Sequence, residues 1–245
     1  MADHDNVTPY QEQGATKKKQ VTKMFDGIAP YYDLLNRLLS LGIDTIWRTK
    51  AIKKLKANNP QAILDIATGT ADLAIEAAEV IKPKSIIGMD IAKEMLRVGD
   101  KKIAKKGLTD IITLEHGDSE ALRYTDGQFD AVMAAFGVRN FENLEAGLSE
   151  MNRVLRNGGE CMILEFSRPK AFPLKQGFNI YFKHILPVIG KLKSKDPKAY
   201  KYLYESVQAF PDYEQFASIL KGVGFTEVTW KPLSFGICTI YLAKK

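Results

Sequence analysis

Residues 63–73, Ile-Leu-Asp-Ile-Ala-Thr-Gly-Thr-Ala-Asp-Leu, decide the fold of this chain. The apolar run 62–66 predicts a buried strand, and a helical pattern begins after the small residues 67–71. A strand, a small-residue turn and a helix form the opening unit of a doubly wound α/β domain, where a nucleotide-like ligand meets the strand ends. The turn alone is a weak signal, because only Gly69 is a glycine and many α/β turns are small for packing reasons.

Three further signals follow along the chain in the order that such a domain requires. A second apolar strand ends in Asp90, 21 residues after Gly69, which suits a carboxylate that accepts hydrogen bonds from ribose hydroxyls. Asp118 and Ser119 follow a third strand, and a fourth strand at 129–136 precedes a turn into a fifth. Acids also end strands as helix caps. Four signals in register nevertheless favour a ligand site.

Strands and helices alternate through the middle of the chain, which predicts the α/β class. The predicted strands are Ala62–Ile66, Ser85–Asp90, Ile111–Glu115, Asp130–Ala135 and Glu160–Glu165, with helices at about Asp72–Ile81, Ala92–Lys105 and Leu144–Leu155. The chain closes with a predicted helix, Tyr213–Leu220, and two strands, Phe225–Trp230 and Ile237–Ala243.

The residues around the first turn bear on the class of ligand. A phosphate-binding loop would be rich in glycine and would have Lys or Arg nearby, whereas residues 68–73 contain Asp72. Asp65 and Asp72 suit a ligand with an ammonium and a sulfonium. The spacing resembles the class I S-adenosylmethionine-dependent methyltransferases. That resemblance implies a seven-stranded, mostly parallel, Rossmann-like sheet whose last strand is antiparallel.

Length and composition narrow the class of protein further. The 245 residues fit one domain, no apolar run approaches the ~18–20 residues of a membrane span, and the polar N-terminus does not suggest a secretory signal. We therefore expect a cytoplasmic protein. Cys161 and Cys238 lie in apolar runs, which predicts that both are buried and stay reduced. The three histidines lack metal-ligand spacing, so no metal site is expected.

The organisation expected from these patterns is a flexible, solvated tail over residues 1–20 and a single methyltransferase domain over 21–245. Within the domain, 21–57 reads as a helical cap and 168–208 as a helical lid inserted after the fifth strand. Residues 168–201 contain nine Lys/Arg and one acid, a net +8 against +6 for the whole chain. Aromatic side chains lie among these cations, which favours peripheral membrane contact through 168–204 over pure packing. Nucleic-acid binding is not expected, since no recognition motif accompanies the charge.

Several sequence motifs together indicate a narrower family. They are Phe25-Asp-Gly-Ile-Ala-Pro-Tyr-Tyr-Asp33, Phe136-Gly-Val-Arg-Asn140, Leu164-Glu-Phe-Ser167 and Tyr202-Leu-Tyr-Glu-Ser206. The chain resembles the menaquinone/ubiquinone biosynthesis C-methyltransferases, which comprise demethylmenaquinone and polyprenyl-benzoquinol methylases, over nearly everything from Phe25 onward. The resemblance implies S-adenosylmethionine as methyl donor, S-adenosylhomocysteine as its product and a polyprenyl quinol as acceptor.

The resemblance places cofactor contacts on Thr70, Asp90, Asp118 and Ser119. Together with the strand end and the turn, the predicted cofactor-binding set is Asp65, Gly69, Thr70, Asp90, Asp118 and Ser119. Two positions depart from the family pattern. Ala71 replaces the usual third glycine of the turn, and Ala135 stands where many members have a serine.

The implied reaction moves a methyl group to a ring carbon that becomes nucleophilic when the adjacent quinol oxygen loses its proton. A phenolic pKa is about 10, so the protein must favour the anion. Arg139 is the predicted electrostatic residue, and Asn140 and Tyr32 are predicted to orient the ring and relay the proton. Arg139 could instead form a structural ion pair and Tyr32 a capping hydrogen bond. His116 is only a reserve general base.

The overall resemblance favours a naphthoquinol, demethylmenaquinol, as the substrate. A polyprenyl-benzoquinol, another lipid or phenol, and a non-catalytic binding protein with the same fold stay open as alternatives. The sequence gives no signal for the oligomeric state.

Overall fold

The computed structural model describes residues 3–181 and 197–245. Its seven strands are β1 (Ala62–Ile66), β2 (Ser85–Asp90), β3 (Ile112–His116), β4 (Phe129–Ala135), β5 (Leu155–Phe166), β6 (Thr226–Leu233) and β7 (Cys238–Lys244). The α-helices of this part of the chain are α1 (Lys17–Ile28), α2 (Tyr32–Leu39), α3 (Ile43–Leu55), α4 (Asp72–Ile81), α5 (Lys93–Lys106), α6 (Leu144–Val154), α7 (Leu174–Ile180), α8 (Pro197–Ala209) and α9 (Glu214–Gly222).

The strands form one mostly parallel sheet in the order β3-β2-β1-β4-β5-β7-β6. Only β7 runs antiparallel to its neighbours, β5 and β6. This arrangement confirms the predicted doubly wound α/β class. The strand order reverses between β1 and β4, and ligands of such sheets bind beyond the carboxyl ends of the strands at this point.

The central strands β1 and β4 are buried on both faces, which explains why β1 reads as a nearly continuous apolar run rather than an alternating one. Neighbouring side chains point to opposite faces of a strand. Ile63 accordingly packs in the cluster formed with α3 and α4, and Leu64 in the cluster formed with α6 and α9. Cys161 and Cys238 are buried free thiols, as predicted.

The N-terminal segment differs from the solvated tail predicted over residues 1–20. Asp3–Asn6 forms a 3-10 helix, and the side chain of His4 is fully buried. The imidazole Nε2 of His4 bonds to the backbone oxygen of Arg139, and Lys17 Nζ donates to the backbone oxygen of His4 at 3.0 Å. The segment is buried through polar contacts, which a count of apolar residues does not detect.

Helices α7 and α8 follow β5 as the predicted insertion and share a small cluster formed by Phe178, Tyr200 and Val207. Residues 182–196 lie outside the described part of the chain, and with them Lys183, Lys191, Lys193 and Lys195 of the predicted basic lid. Among the described residues, none of the helices has the length and apolar character needed to cross a bilayer.

Candidate active site

A narrow pocket of about 70 Å³ lies at the carboxyl ends of β1 to β4, where the strand order reverses. The turns after these four strands form most of its wall, and α1, α2 and Met95 of α5 contribute to the rest. The lining residues include Lys18, Val21, Phe25, Tyr32, Gly69, Met89, Asp90, Asp118, Ser119, Ala135, Phe136 and Asn140. Four predicted cofactor residues, Gly69, Asp90, Asp118 and Ser119, thus meet in one wall.

Asp90 belongs to that wall and also holds the first turn in place. Gly69 has a left-handed backbone with φ of 57°, and its N–H donates to Asp90 Oδ2 at 2.7 Å. The N–H of Ala92 donates to Oδ1 at 2.8 Å. Burial raises the pKa of the Asp90 carboxyl, while these backbone donors favour the ionised form. A carboxylate has about four acceptor positions, so Asp90 can also accept from a ligand.

Asp65 and Thr70 lie behind the turn rather than in the pocket wall. Asp65 is fully buried at the end of β1, where its Oδ2 accepts from the Thr68 hydroxyl at 2.6 Å. Burial raises the pKa of Asp65 to about 7. The hydroxyl of Thr70 donates to Asp33 at 2.5 Å. Both side chains therefore stabilise the turn from the side that faces away from the pocket.

Lys18 of α1 closes the far end of the pocket. Its ammonium donates to Asp118 Oδ2 at 2.7 Å and to Glu120 Oε2 at 3.1 Å. Asp118 also accepts from the backbone N–H of Glu120 at 3.0 Å through its other oxygen. Sequence reasoning assigned Lys18 to a tail and missed it, because the lysine lies 100 positions from its partner.

The turn after β4 carries two further features of the pocket. Phe136 has φ of 58°, an uncommon backbone conformation for a bulky side chain that often marks functional sites. Asn140 donates from Nδ2 to the backbone oxygen of Phe136 at 3.4 Å. Its buried Oδ1 accepts nothing from the residues that the structure describes. Asn140 therefore offers the pocket an unused acceptor.

A second and much larger cavity of about 640 Å³ adjoins the first. Ligand cavities usually measure roughly 300–1,000 Å³, so this one can hold a sizeable molecule. Most of its wall is apolar, with α1, α2, α3, α7 and α8 around it. The lining includes Met24, Phe25, Ile28, Tyr32, Leu41, Ile43, Trp47, Phe136, Arg139, Phe166, Leu174, Phe178, Tyr181, Tyr200, Tyr202, Leu203, Phe235 and Ile237. Phe25, Tyr32 and Phe136 belong to both walls, so one layer of side chains separates the two spaces.

Arg139 supplies the cationic group of the large cavity. Its Nη1 donates to Glu165 Oε1 at 3.0 Å and to the backbone oxygen of Phe136, and both charged side chains are almost fully buried. Burial raises the pKa of Glu165, and the guanidinium opposes that rise. The Nε–H of Arg139 is buried and has no acceptor among residues 3–181 and 197–245. The arginine is therefore both part of an ion pair and a donor with unused capacity.

Two tyrosines complete the polar part of this wall. Burial raises the pKa of the Tyr32 phenol, which is bonded to Asn36, so the group keeps its proton at neutral pH. Tyr202 of α8 is 1% exposed, and its hydroxyl bonds to none of the described residues. Burial raises the pKa of Tyr202 as well. Sequence reasoning missed Tyr202 as a site residue, although the phrase 202–206 contained it.

The profile of the ubiE/COQ5 methyltransferase family matches residues 13–245. The chain belongs to this family. It is 49% identical to the demethylmenaquinone methyltransferase of Bacteroides fragilis over 241 residues, 98% of each chain. It is 44% identical to the enzyme of that name from Porphyromonas gingivalis over the full length of both chains. Identity to the ubiquinone/menaquinone biosynthesis C-methyltransferase UbiE of Geotalea uraniireducens is 44%, over 94% of this chain and 97% of that protein.

Solved structures share the fold of this methyltransferase. A SAM-dependent methyltransferase of Thermotoga maritima matches with a TM-score of 0.64 over 91% of this chain and 98% of its own, at 16% identity. Phosphoethanolamine N-methyltransferase 2 of Haemonchus contortus, in complex with S-adenosyl-L-methionine, matches with a TM-score of 0.57 over 76% of this chain and 48% of its own, at 15% identity. At these identities the likeness concerns the fold alone.

A network of charged side chains supports the first turn of the methyltransferase. Lys102 pairs with Asp33 at 2.7 Å and also with Asp72, which in turn lies 3.4 Å from Arg48. Asp72, predicted from the sequence to suit a cationic ligand, therefore already has two cationic partners. His116, the reserve base, is exposed and lines neither space.

Proposed function

We propose that this chain transfers a methyl group from S-adenosylmethionine to a ring carbon of demethylmenaquinol and so forms menaquinol. The observation that carries the proposal is the shared wall of Phe25, Tyr32 and Phe136 between a narrow pocket lined by Asp90 and Asp118 and a large apolar cavity. Methyl transfer needs donor and acceptor side by side in a site shielded from water. The names of the relatives at 49% and 44% identity support the same substrate.

The narrow pocket fits the donor by its chemistry. Asp90 would accept from the ribose hydroxyls, and Asp118 with Ser119 would lie at the adenine. The turn at Gly69 would lie at the methionyl part, with Asp65 and Thr70 holding that turn from behind. The unused acceptor on Asn140 suits an N–H or ammonium group. Bound there, S-adenosylmethionine supplies a methyl group on a sulfonium, whose positive charge disappears on transfer.

The large cavity fits a quinol with a hydrocarbon tail. Its apolar walls would hold the ring and the first part of the tail, and the polar groups of Arg139, Tyr32 and Tyr202 would face the ring oxygens. The charge of Arg139 is largely balanced by Glu165, which lies 3.0 Å away. Arg139 would therefore act through its unused Nε–H rather than through an unpaired positive field.

Hydrogen bonds to the anionic form of an acid lower its pKa. Donation from Arg139 and from the phenol of Tyr32 would stabilise the quinol anion and raise the electron density at the neighbouring ring carbon. Tyr32 and Asn140 would orient the ring. After transfer the ring carbon carries both the methyl group and its original hydrogen, and Tyr32 would relay the proton that leaves when this hydrogen is lost and the ring becomes aromatic again. Tyr32 does not serve as a strong base itself, because its own pKa is raised.

The hydrophobic tail of the substrate bears on where the protein works. A polyprenyl quinol stays in a bilayer, so we propose a cytoplasmic protein that docks peripherally on the inner face of the cell membrane through residues 168–204. In support, the described cations Lys170, Lys175, Lys198 and Lys201 of this segment are exposed. Each cation near an anionic membrane contributes about 1 kcal/mol to binding.

A polyprenyl-benzoquinol is the second candidate acceptor, because the Geotalea uraniireducens relative is named for both ubiquinone and menaquinone biosynthesis. The test is methyl transfer from labelled S-adenosylmethionine to a panel of reduced naphthoquinones and benzoquinones with equal tails. We expect the highest kcat/KM for demethylmenaquinol. The matched control is each quinone left oxidised, which has no hydroxyl to ionise. A preference for the benzoquinols would overturn the choice of substrate, and transfer to no quinol would overturn the proposed function.

A further inference from the structure

Five apolar side chains stand exposed around the mouth of the large cavity. We call them the apolar rim: Leu41, Ile43, Phe172, Leu174 and Phe235. Leu41, Phe172 and Phe235 are 78%, 81% and 79% exposed. They come from three separate parts of the chain, namely the turn between α2 and α3 with the first residue of α3, the segment between β5 and α7 with the first residue of α7, and the turn between β6 and β7. Single exposed apolar residues are ordinary, but a set that gathers at one opening marks an interaction site.

The rim is continuous with the interior of the cavity. Leu41, Ile43, Leu174 and Phe235 belong to the cavity wall and to the exposed surface at once, and Phe172 precedes Pro173, which also lines the wall. An apolar path therefore leads from the surface to the wall that contains Arg139. A hydrocarbon tail that follows these side chains enters the cavity beside them, and the charged groups Asp44 and Arg48 of the wall are paired with each other.

Two rim residues hold backbone conformations that are unfavourable for their side chains. Leu41 has φ of 53° and Phe235 has φ of 59°. Glycine or asparagine would adopt the left-handed region more readily and would leave no apolar group in water. The chain instead presents a leucine and a phenylalanine there, and such strain often accompanies a functional role.

The exposed charged side chains of the segments that carry the rim are of one sign, since Asp44, which follows Ile43 and lines the cavity, is buried and paired with Arg48. The segments 34–43, 170–181 and 231–237 contain Arg37, Lys170, Lys175 and Lys231 and not one Asp or Glu. The whole chain, by contrast, has 29 acids against 35 Lys and Arg. Apolar side chains flanked by cations suit the surface of a membrane with anionic lipids.

We infer that the apolar rim inserts into the lipid bilayer and forms the entrance through which the tail of the substrate reaches the cavity. This deepens the proposed function, because it names the surface where protein, membrane and substrate meet. Two kinds of contact would then contribute to membrane binding, one electrostatic and one apolar. Cations attract the protein to anionic lipid, and salt screens that attraction over a Debye length of about 10 Å at 0.1 M. The rim contributes apolar contact, which salt does not remove.

The first test is sedimentation of the full chain with phosphatidylcholine vesicles, with and without phosphatidylglycerol, at low and high salt and without substrate. The variant combines Leu41→Asn, Phe172→Gln and Phe235→Asn, since asparagine tolerates a positive φ. We expect wild-type binding to persist in part at high salt. We expect the salt-resistant part of vesicle binding to fall about a thousandfold in the variant, because each of the three apolar side chains that enters the bilayer is worth on the order of tenfold. Trp230→Gln is the matched control, since Trp230 is 38% exposed but lies outside the cavity wall.

The second test keeps the rim apolar. Phe172→Trp places a fluorophore on the rim, and lipids brominated in their acyl chains quench a tryptophan only if it enters the hydrocarbon region. We expect quenching of the variant well beyond that of the wild type, whose tryptophans are Trp47 and Trp230. Circular dichroism of each variant verifies the fold.

Three results would overturn the inference. They are vesicle binding that high salt abolishes completely, a triple variant that binds as the wild type does, and no added quenching from Phe172→Trp. A wild type that is dimeric while the triple variant is monomeric would assign the rim to a contact between copies instead. The proposed function is tested apart from the rim, by methyl transfer from the wild type to a short-tailed demethylmenaquinol in the absence of vesicles.

Discussion

Removing one member of the Arg139–Glu165 pair separates its structural role from its role in the reaction. The two side chains are 7% and 0% exposed, and their closest polar atoms, Arg139 Nη1 and Glu165 Oε1, lie 3.0 Å apart. Removing one partner of such a pair leaves a buried charge without compensation, which costs about 3–5 kcal/mol of stability. We therefore expect Glu165→Gln and Arg139→Met each to lower the free energy of unfolding by about that amount.

The double variant should be less destabilised than the sum of the single variants, because it leaves neither charge unpaired. Replacement of a buried ion pair by neutral side chains is often close to neutral, so we expect the double variant to lose far less stability than the roughly 6–10 kcal/mol that the two single losses add up to. The assay is urea denaturation of the four proteins at one pH, with circular dichroism as the signal. Additive losses would show that the interaction between the two side chains contributes little to stability.

Measurements of turnover in the same variants test the role of Arg139 in the reaction. If Arg139 donates to the quinol oxygen, methyl transfer should stay low in the double variant even though its stability returns. Turnover of Arg139→Met should recover in part at higher pH, where the quinol ionises without help. A double variant with wild-type turnover would show that Arg139 acts only through the ion pair.

Three further predictions concern single side chains. Asp90→Ala should weaken S-adenosylmethionine binding roughly tenfold to a hundredfold by calorimetry, because hydrogen bonds to a charged group are worth ~1.5–3 kcal/mol; unchanged affinity in a folded variant would remove Asp90 from the site. Tyr202→Phe removes a buried hydroxyl without a described partner, so unfolding should change little while kcat/KM for the quinol falls about tenfold; an unchanged kcat/KM would count against Tyr202 as a substrate contact. Because its folded pKa of about 7 exceeds the ordinary 3.8, Asp65 releases its proton later in the folded chain, and stability should fall as pH rises from about 4 to 7. In Asp65→Asn that fall should shrink by about 4 kcal/mol in urea titrations, and an unchanged pH profile would contradict the raised pKa.

The fold was predictable because it follows from local patterns. The apolar run 62–66, the small turn and the helix at Asp72–Ile81 have the predicted bounds in the structure. The start of β5 was not predictable in the same way. The sequence 156–159 reads as a turn, yet the strand begins at Leu155, whose backbone pairs with Phe129 across a register shift. A distant strand decides that boundary.

The site was less predictable than the fold, because its polar contacts join residues far apart in the chain. The phrase 136–140 indicated Arg139, but nothing local indicates that Glu165 and the N-terminal His4 both bond to it. Lys18 lines the pocket, although it belongs to a segment whose composition predicts solvent exposure. Long-range polar burial leaves no periodic pattern in a sequence.

The proposed reaction of this chain places a methyl group on a ring carbon of demethylmenaquinol. The most direct measurement is a reaction of the purified protein with S-adenosylmethionine labelled with carbon-13 in its methyl group and reduced demethylmenaquinone, followed by NMR of the extracted quinone. We expect one labelled methyl group per quinone, bonded to the ring carbon. Label on a quinol oxygen, or no label in the quinone at all, would contradict the proposed reaction.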